Sequence, residues 1–384
     1  MNKISSLRDF KTAEERRNYI SSKLKIGLDN ISNFSFTEEE VYRKNVENLV
    51  GAIQIPLGIA GPLLVKSKVS SKEYHIPLAT TEGALVASAS RGCKVITESG
   101  GAFVEVELVG ATRGSAFVTD GIKKSHQVKL WIAQNFDRIA EIAQSQSSHL
   151  KLLKIDTAIT GKNLFLRCIY NTQDAMGLNM VTIANTKISQ FLEEKLDIKC
   201  VSIAGNYDID KKAAWLNFIE GRGKRVWAEV TVKKALVKST LKTTPEKIAD
   251  VVYRKCLIGS ALAGSLGFNA HFANVIAAIF IATGQDLAHV VEGSLGITSA
   301  EVLKNGDLYF SIYLPALMCG TVGGGTHLPT QQEALKIMDI KGQGDSIKYA
   351  QLIGAATLAV ELSLIASLAE GTLASAHQKL GRNK

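Results

Sequence analysis

The sequence predicts an α+β fold with more than one hydrophobic core. Its 384 residues are too many for a single core of ordinary size. Between about residues 103 and 200, short apolar runs alternate with longer amphipathic stretches, which indicates strands alternating with helices. The last third of the chain is rich in Gly, Ala and Ser, a composition typical of closely packed helices or of backbone that a ligand approaches.

Local patterns place the first elements of the chain. Residues 1–46 are polar and helix-forming, and a capping-box pattern at Ser35 and Glu38 predicts the start of a helix. Residues 47–65 are apolar and interrupted by Gly and Pro, which predicts strands and tight turns. A helix whose small residues permit close packing is predicted to begin at Thr80.

The alternating region and the C-terminal part contain the remaining elements. Strands are predicted at residues 103–109, 115–119 and 163–170, and helices at residues 124–143 and 177–196. Such a segment is long enough to form an inserted domain. Further on, residues 352–373 are apolar but carry Glu361 and Glu370, which favours a buried core helix over a membrane span.

Charge and cysteine content limit the partners. The net charge of +9 suits nucleic acid, an anionic membrane or a phosphate-rich small molecule, and a generally basic surface explains it equally well. The basic residues lie in scattered clusters without interleaved aromatics, which disfavours nucleic acid. Five separate cysteines without a Cys-x-x-Cys pair favour reduced thiols in a cytoplasmic protein with no metal site. The polar start of the chain and the short apolar run at residues 273–283 predict neither a signal peptide nor a membrane partner.

Several common catalytic motifs are missing from the sequence. There is no G-x-S-x-G elbow, no H-E-x-x-H pair, no P-loop and no strand-led G-x-G-x-x-G. Serine hydrolases, zinc peptidases and P-loop phosphotransferases are therefore disfavoured. A Rossmann dehydrogenase also loses support.

Polar residues among small or apolar neighbours are the candidates for chemistry. Glu82 precedes an Ala- and Ser-rich helix. Stabilisation of an acidic side chain by the positive end of that helix would explain it equally well without a catalytic role. Lys211 follows Asp210 in a polar loop that a solvated turn explains as well. Asp286 follows a strongly apolar helix, where an acid opposes the helix dipole and requires a neighbouring cation. His377 is either a merely exposed side chain or part of a tail that delivers a proton to a site.

These candidates belong to segments that together resemble the hydroxymethylglutaryl-CoA reductase family. The match runs from about residue 47 to the end, in the family's order and spacing, and is similar to the branch found in eukaryotes and archaea. The segments that carry the resemblance are ENLVGAIQIPLGIAGPL, TTEGALVAS, DAMGLNM, GNYDIDKKAA, IEGRGK, NAHFAN, ATGQD and GTVGGGTHLPTQQEAL.

The resemblance implies a reductase that converts hydroxymethylglutaryl-CoA to mevalonate by two hydride transfers from NADPH, with NADH possible, and releases CoA. Lys211 matches the family's catalytic lysine, which stabilises negative charge on the reacting oxygen, and Asp286 matches the aspartate that holds it. Glu82 matches a glutamate that donates a proton in the aldehyde step, and we expect it to be buried beside Asp286. His377 matches the histidine that protonates the departing CoA thiolate.

The resemblance also implies binding residues. Those that match substrate contacts are Arg91, Arg113, Asp210, Lys212, Lys255 and Asn274, with Arg91 facing the CoA phosphates and Asn274 near the Lys211–Asp286 pair. Those that match the nicotinamide-cofactor site are Ser147, Ser148, Asp174, Met176, Gly177, Leu178, Asn179, Gly323 and Gly324.

Two positions depart from the family. Ser148 replaces an arginine that helps to bind the 2′-phosphate of NADPH, which weakens the case for NADPH over NADH, and Ala204 replaces a substrate-binding serine.

The resemblance further implies the domain organisation. Residues 1–46 form a small helical N-terminal region. Residues 47–113 and 213–384 form a large α/β-rich substrate and CoA domain with a central helix, and residues 114–200 form an inserted ferredoxin-like cofactor domain. Residues 201–212 are the catalytic loop that joins the two. The family's active site lies between subunits, so we expect a homodimer or homotetramer with ENLVGAIQIP at the interface.

Two other interpretations remain open. A Schiff-base lyase built on Lys211 would form a covalent bond to a carbonyl substrate, which borohydride would trap. A basic protein that only binds CoA or nucleic acid would explain the charge. Binding alone, however, has no use for an acid–base set of Glu82, Lys211, Asp286 and His377.

Overall fold

A computed structural model gives the fold of residues 7–41 and 44–371. The α-helices are α1 (Ala13–Leu24), α2 (Glu38–Val41), α3 (Leu85–Glu98), α4 (Ile122–Gln134), α5 (Phe136–Gln144), α6 (Leu178–Leu196), α7 (Trp215–Glu220), α8 (Lys234–Leu236), α9 (Pro245–Val251), α10 (Ser260–Leu262), α11 (Phe272–Thr283), α12 (Val290–Gly293), α13 (Pro329–Ile337) and α14 (Ser346–Glu370). The β-strands are β1 (Leu57–Lys66), β2 (Ser71–Ala79), β3 (Ala102–Arg113), β4 (Ala116–Val118), β5 (Lys151–Thr160), β6 (Asn163–Asn171), β7 (Lys199–Ser202), β8 (Gly223–Val232), β9 (Gly267–Phe268), β10 (Gly296–Val302) and β11 (Leu308–Leu317). The structure also contains π-helical segments at Val237–Leu241 and Val252–Gly259, and short 3-10 helices at Leu7–Asp9, Asn30–Ser32, Leu287–His289 and Gly324–His327.

The strands form one mixed sheet in which the long strand β3 has a central place. Residues 103–110 of β3 pair with β8, whereas residues 111–113 pair with β6. Along the sheet the order is β7-β4-β6-β3-β8-β11-β10-β9, with β1 and β2 attached through β3 and β5 attached to β6. One strand thus belongs to both halves of the sheet and joins them.

Two main hydrophobic cores lie on the two halves of the sheet. In the larger core, α14 packs against β3, β8 and β11, α3 packs against β1, and α11 packs against β2; this core includes Phe272 and Phe310. In the smaller core, α4 and α5 pack against β5, and α6 packs against β3 and β7; this core includes Phe117 and Tyr170. These cores confirm the prediction of a mixed helix-and-sheet protein with more than one core.

The capping box predicted at Ser35 and Glu38 is wrong by two residues. Thr37 and Glu40 form it instead: the Glu40 amide donates to the Thr37 hydroxyl at 3.3 Å, and the Thr37 amide donates to the Glu40 carboxylate at 2.6 Å. Both pairs have the spacing that the motif requires, so the pattern alone does not separate them.

Two predicted helices have different bounds. The helix predicted over residues 124–143 is divided into α4 and α5, because the Asn135 side chain donates to the Trp131 carbonyl at 2.8 Å and competes with the next helical turn. The helix predicted from Thr80 begins only at Leu85. The Thr80 hydroxyl accepts from the Glu82 amide at 2.9 Å and forms a local turn first.

α14 is the central helix of the larger core. A Cβ at Gly92 of α3 would lie 1.9 Å from the carbonyl oxygen of Ala359, so this close helix contact requires glycine. Glu361 is fully buried in the same helix. Its carboxylate accepts from the Thr298 hydroxyl at 2.7 Å, from the His271 amide at 3.2 Å and from the His271 ring at 2.9 Å. Glu361 therefore ties α14 to the start of α11.

By length and composition alone, α14 would be able to cross a membrane. However, 83% of its most apolar stretch is buried inside the protein. A helix that is apolar on all sides and surrounded by protein is typical of a core helix, as the sequence predicted.

Glu361→Ala is expected to lower the free energy of unfolding by roughly 3–5 kcal/mol, because it leaves buried donors without their acceptor. Glu98→Ala is the matched control: Glu98 is exposed, lies 3.8 Å from Lys94, and its loss should change stability by less than about 0.5 kcal/mol. Urea unfolding followed by circular dichroism measures both. Equal destabilisation by the two substitutions would contradict the role of Glu361.

Candidate active site

Lys211 and Asp286 meet at the surface of the protein. Lys211 Nζ lies 2.8 Å from Asp286 Oδ2, and the two side chains remain 36% and 40% exposed. The sequence predicted that Asp286 requires a neighbouring cation, and this contact confirms it.

The loop that carries Lys211 is strained. The φ angles of Asn206, Ile209 and Lys211 are 62°, 51° and 57°. This left-handed region is rare for side chains other than glycine and rarest for β-branched ones such as isoleucine. The buried Asn217 side chain donates to the Ile209 carbonyl at 2.9 Å and to the Lys212 carbonyl at 3.3 Å. The loop therefore holds Lys211 in a defined position.

Asp286 caps a helix start and does not oppose a helix end, which corrects the sequence-based interpretation. α11 ends before it, and the Asp286 carboxylate accepts from the Ala288 amide at 3.1 Å at the start of the 3-10 helix Leu287–His289. Burial disfavours ionisation of this carboxyl. The hydrogen bond from Lys211 and the proximity of His289 outweigh that effect and lower the pKa of Asp286 below its ordinary value.

Arg222 is fully buried beneath the loop. Its Nη2 donates to Asp210 Oδ1 at 3.0 Å, its Nε donates to the Thr112 hydroxyl at 2.7 Å, and its Nη1 donates to Glu292 Oε1. Glu292 also accepts from the Lys211 backbone amide at 3.4 Å. One guanidinium thus connects β3, the Lys211 loop and α12, and two carboxylates balance its charge.

His289 adjoins the same network and is also fully buried. Its Nδ1 lies 2.7 Å from Glu292 Oε1, and its Nε2 lies 3.7 Å from Asp286 Oδ2. Asp210, His289 and Glu292 offer three metal-ligand atoms within 4.8 Å of one another. The guanidinium of Arg222 already supplies positive charge at this place, which disfavours a metal ion there.

The sequence reasoning did not single out Arg222, His289 or Glu292. A signal for two of them was present: His289 and Glu292 follow Asp286 at successive helical spacings of three residues. Arg222 lay in a quoted motif, but its burial depends on contacts that are distant in sequence.

Three predicted substrate contacts gather beside Lys211. Arg113 Nη1 lies 3.2 Å from Asp208 Oδ2 and 3.6 Å from Asp210 Oδ2. Lys212 is exposed, and its Nζ donates to the Asp210 carbonyl at 3.0 Å. Arg113 is thus largely neutralised by carboxylates, whereas Lys212 presents the more available positive charge.

Glu82 and Asn274 form a separate cluster. Asn274 Nδ2 donates to Glu82 Oε2 at 2.7 Å, and Glu82 is exposed. Asn274 lies in the first turn of α11, whereas Asp286 follows its last turn. The 12 residues of this helix span about 18 Å. The expectations that Glu82 is buried beside Asp286 and that Asn274 adjoins the Lys211 pair are therefore wrong within a single chain.

Arg91 and Lys255 make no hydrogen bond or ion pair with either cluster in residues 7–41 and 44–371. The Arg91 guanidinium donates to the Ser363 hydroxyl at 3.0 Å, to the Ser363 carbonyl at 2.6 Å and to the Ser367 hydroxyl. Burial lowers the pKa of Arg91. Lys255 is exposed on the π-helical segment Val252–Gly259.

Asp174 anchors the start of α14. Its carboxylate accepts from the Gly344 amide at 2.8 Å and from the Ser346 amide at 3.1 Å. Burial disfavours its charge, but these backbone donors outweigh burial and lower the pKa of Asp174. Its own carbonyl accepts from the Thr321 amide at 2.8 Å, and Ala175 pairs with Val322. The DAMGLNM segment and the glycine loop are therefore neighbours, as expected for parts of one site.

Helix α6 begins beside this junction without a side-chain cap. Gly177 precedes it with φ of 80°, and Leu178 and the exposed Asn179 are its first residues. A Cβ at Gly320 would lie 2.5 Å from the Met176 amide, so the glycine loop packs directly against this turn. Uncapped amides at a helix start attract anionic groups such as phosphate.

Open space adjoins this helix start. Gly323 and Gly324 have φ of 78° and 57°, and nothing lies within 4 Å of a Cβ at either position. A cavity of about 390 Å³ is lined by Ser147, Ser148, Lys151 and other residues, including Gln173, which precedes Asp174. The predicted cofactor residues thus lie at or just before the start of α6, in the glycine loop and in the lining of this cavity.

His377 lies outside the residues that the structure describes. Within them, the Lys211 cluster offers an ammonium group held by a carboxylate, and the Glu82 cluster offers a carboxyl group held by an amide. An ammonium suits a developing oxyanion, and a carboxyl suits proton transfer to it.

Comparison with known proteins agrees with these features. A family model described as hydroxymethylglutaryl-coenzyme A reductase matches residues 12–382. The 3-hydroxy-3-methylglutaryl-coenzyme A reductase of Methanocaldococcus jannaschii is 50% identical over 375 residues, which cover 96% of this chain and 92% of the relative. 3-Hydroxy-3-methylglutaryl-coenzyme A reductase 3 of Hevea brasiliensis is 42% identical over 359 residues, or 91% of this chain and 61% of the relative.

A solved structure shares the fold. It is the class II 3-hydroxy-3-methylglutaryl-CoA reductase from Streptococcus pneumoniae bound to NADPH in open conformations, with a TM-score of 0.71 and 21% identity over 93% of this chain and 97% of that chain. The family match spans nearly the whole sequence and the archaeal relative is similar throughout, which confirms the resemblance that the motifs carry. This chain therefore belongs to the hydroxymethylglutaryl-coenzyme A reductase family.

Proposed function

We propose that this protein reduces hydroxymethylglutaryl-CoA to mevalonate and releases CoA, with NADPH as the hydride donor. The observation that carries the proposal is the Lys211–Asp286 ion pair on a strained loop held by buried side chains. Each reduction step places negative charge on the carbonyl oxygen of the substrate. A positioned ammonium stabilises that charge most in the transition state, which is where stabilisation raises the rate.

Two proton donors complete the chemistry. Glu82, oriented by Asn274, donates a proton to the oxygen of the aldehyde intermediate. His377 protonates the CoA thiolate as it leaves, so that the thiolate does not attack the aldehyde again.

Cations near Lys211 bind the acid end of the substrate. Lys212 is exposed and has no carboxylate partner in the described part of the chain, so it pairs with the substrate carboxylate. Arg113 supports it from a position already shared with Asp208 and Asp210. Lys255 and Arg91 bind parts of the same substrate that lie farther from the reacting carbon.

Residues 114–200 form the cofactor domain, and its fold is ferredoxin-like. The support is its strand order, β7-β4-β6-β5, with α4 and α5 between the first two strands in sequence and α6 before the last. The uncapped start of α6 suits the cofactor's pyrophosphate, and the cavity beside Ser148 suits its adenosine end. Residues 47–113 and 213–384 form the substrate domain, residues 201–212 the connecting loop, and residues 1–46 the N-terminal region.

The working form is a homodimer or a homotetramer whose active site lies between subunits. One chain holds Glu82 and Lys211 at opposite ends of α11, too far apart to act on one carbonyl group. A second copy brings the two halves together. Ile53, Leu57 and Ile59 are each at least half exposed in the single chain, and a second copy would cover them.

The protein acts in the cytoplasm. All five cysteines are unpaired, and four of them are buried, which suits a reducing compartment.

A Schiff-base lyase has less support than the reductase. A lysine needs its neutral amine to attack a carbonyl, and the Asp286 carboxylate at 2.8 Å favours the ammonium. Incubation of the protein with a carbonyl substrate and borohydride separates the two: a covalent adduct at Lys211 would favour the lyase.

Lys211→Ala is expected to lower kcat for hydroxymethylglutaryl-CoA by about 100- to 1000-fold, because it removes the cation that faces the oxyanion. Lys212→Ala is the neighbouring comparison and should instead raise KM by about tenfold or more, because it removes a charge-assisted contact to bound substrate. Both are measured by nicotinamide absorbance with NADPH and with NADH. No substrate-dependent turnover by the wild-type protein would exclude the function, and a nearly normal kcat for Lys211→Ala would exclude its role.

Mixing Lys211→Ala with Glu82→Ala tests the shared site. Each variant alone is expected to be inactive. In a mixed dimer, one of the two sites receives the intact Lys211 from one chain and the intact Glu82 from the other, so random reassembly should restore about a quarter of the wild-type rate. The subunits are mixed under mild denaturant, which is then removed, and each variant treated alone is the control. If subunits that are shown to have exchanged recover no activity, Lys211 and Glu82 of each site must come from the same chain.

Ser148→Arg is expected to raise the preference for NADPH over NADH, expressed as the ratio of kcat/KM values, by about tenfold or more through a charge-assisted contact to the 2′-phosphate. Ser145→Arg adds the same charge at an exposed position outside the cavity and serves as the control. Equal shifts for the two variants would indicate a general effect of charge and would remove Ser148 from the cofactor site.

A further inference from the structure

The turn between α11 and the following 3-10 helix contacts two parts of the proposed site. Asp286 in this turn holds Lys211, with Nζ and Oδ2 2.8 Å apart. The residue before it, Gln285, is only 7% exposed. Its side-chain amide hydrogen-bonds to Gly320, the first residue of the glycine loop (residues 320–326). One short turn therefore connects the ion pair to the loop.

The Gln285 side chain pairs with both backbone groups of Gly320. Its Nε2 donates to the Gly320 carbonyl at 2.9 Å, and its Oε1 accepts from the Gly320 amide at 3.0 Å. Nε2 also donates to the Thr283 carbonyl at 3.3 Å. Because one end of the side chain must donate and the other must accept, an amide of this length fits and a hydrocarbon does not. Loss of the amide would leave buried polar groups of Gly320 unpaired.

A backbone contact joins the same turn to the far end of the loop. A Cβ at Gly284 would lie 2.3 Å from the Gly325 carbonyl oxygen, and a Cβ at Gly325 would lie 2.7 Å from the Gly284 carbonyl oxygen. The two backbones therefore touch where only glycine fits. Between these contacts, Gly323 and Gly324 are exposed, with nothing within 4 Å of a Cβ at either position. The loop is thus held near both ends and open in its middle.

The next residue of the loop is tied to the DAMGLNM segment (residues 174–180). The Thr321 amide donates to the Asp174 carbonyl at 2.8 Å, and the Thr321 hydroxyl donates to the Gly342 carbonyl at 2.7 Å. These contacts place the loop relative to the start of α6. Gln285 adds a second reference, because it is bonded to Gly320 and is the chain neighbour of Asp286.

We propose that Gln285 is a positioning residue that sets the distance between the glycine loop of the cofactor site and the Lys211–Asp286 pair. The inference rests on the proposed reductase function and deepens it. Hydride transfer needs the donor close to the carbonyl carbon while the carbonyl oxygen faces the ammonium. A misplacement of about 1 Å can cost about 100-fold in rate. A side chain that joins the loop to the turn of Asp286 keeps the two at a fixed separation.

Gln285→Met tests the pairing, because methionine is similar in length and volume but has no amide. We expect the Kd for NADPH, measured from the change in its fluorescence on binding, to rise about tenfold, and kcat to fall about tenfold. KM for hydroxymethylglutaryl-CoA should stay within about twofold of the wild-type value, because the hydrogen bonds of the Gln285 side chain go to Thr283 and Gly320. The Kd for NADH should rise by the same factor as that for NADPH, because Gln285 does not line the cavity beside Ser148.

Thr357→Val is the matched control for the loss of a buried hydrogen bond. Thr357 is fully buried in α14, and its hydroxyl donates to the Ile353 carbonyl at 2.8 Å. Valine keeps the shape and removes the hydroxyl, so the variant loses stability without a change at the glycine loop. Its Kd for NADPH and its kcat should stay within about twofold of the wild-type values. Equal changes in Thr357→Val and Gln285→Met would indicate a general loss of stability and would overturn the proposal.

Gln285→Asn keeps the proposal testable if Gln285→Met does not fold. Asparagine retains the amide but is one methylene shorter, so it reaches both groups of Gly320 only if the loop moves. The Kd for NADPH should rise about threefold or more, with KM for hydroxymethylglutaryl-CoA unchanged. A wild-type Kd for NADPH and a wild-type kcat in a folded Gln285 variant would refute the inference about Gln285 alone. A wild-type protein that does not turn over hydroxymethylglutaryl-CoA would refute the reductase function itself.

Discussion

The burial of one guanidinium, that of Arg222, is the constraint on which the rest of the site depends. A charged group taken out of water costs several kcal/mol unless acceptors and opposite charges surround it. Here these partners come from three parts of the chain: Thr112 at the end of β3, Asp210 in the Lys211 loop and Glu292 in α12. Displacement of any of the three would leave part of the buried guanidinium without its acceptor or its counter-charge, so the loop is held between the sheet and the helix.

The same end of β3 connects the two halves of the molecule. Residues 111–113 of β3 pair with β6 of the smaller half, while the preceding residues pair with β8 of the larger half. A second connection is made by Asp174 of the smaller half, whose carboxylate accepts from backbone amides at the start of α14, the central helix of the larger core. The continuous strand β3 and these hydrogen bonds therefore fix the uncapped start of α6 relative to the Lys211 loop.

The sequence predicts what depends on local pattern and fails where long-range contacts decide. The strands around residues 103–119 and the helix α6 follow from periodicity. The cation beside Asp286 was predicted for the wrong reason, because Asp286 caps a helix start and does not oppose a helix end. The separation of Glu82 from Asp286 was missed. The order of the motifs along the chain does not show that Glu82 contacts the first turn of α11, whereas Asp286 follows its last turn. The buried partners Arg222, His289 and Glu292 were missed because charged residues are ordinarily exposed, so only the folded chain shows their burial.

An exposed ion pair such as Lys211–Asp286 contributes little to stability by itself, because water screens it and both side chains lose freedom. The buried groups beneath the loop must therefore fix the geometry of this ion pair. Ile209 and Lys211 adopt backbone angles that cost of order 1–3 kcal/mol each, and the Thr112 hydroxyl, at 2.6 Å from the Asp208 carbonyl, helps to retain them. Because the buried network already holds the strained loop, the ammonium needs no rearrangement when negative charge develops beside it. Stabilisation of this preorganised kind lowers a barrier more than a mobile lysine in water would.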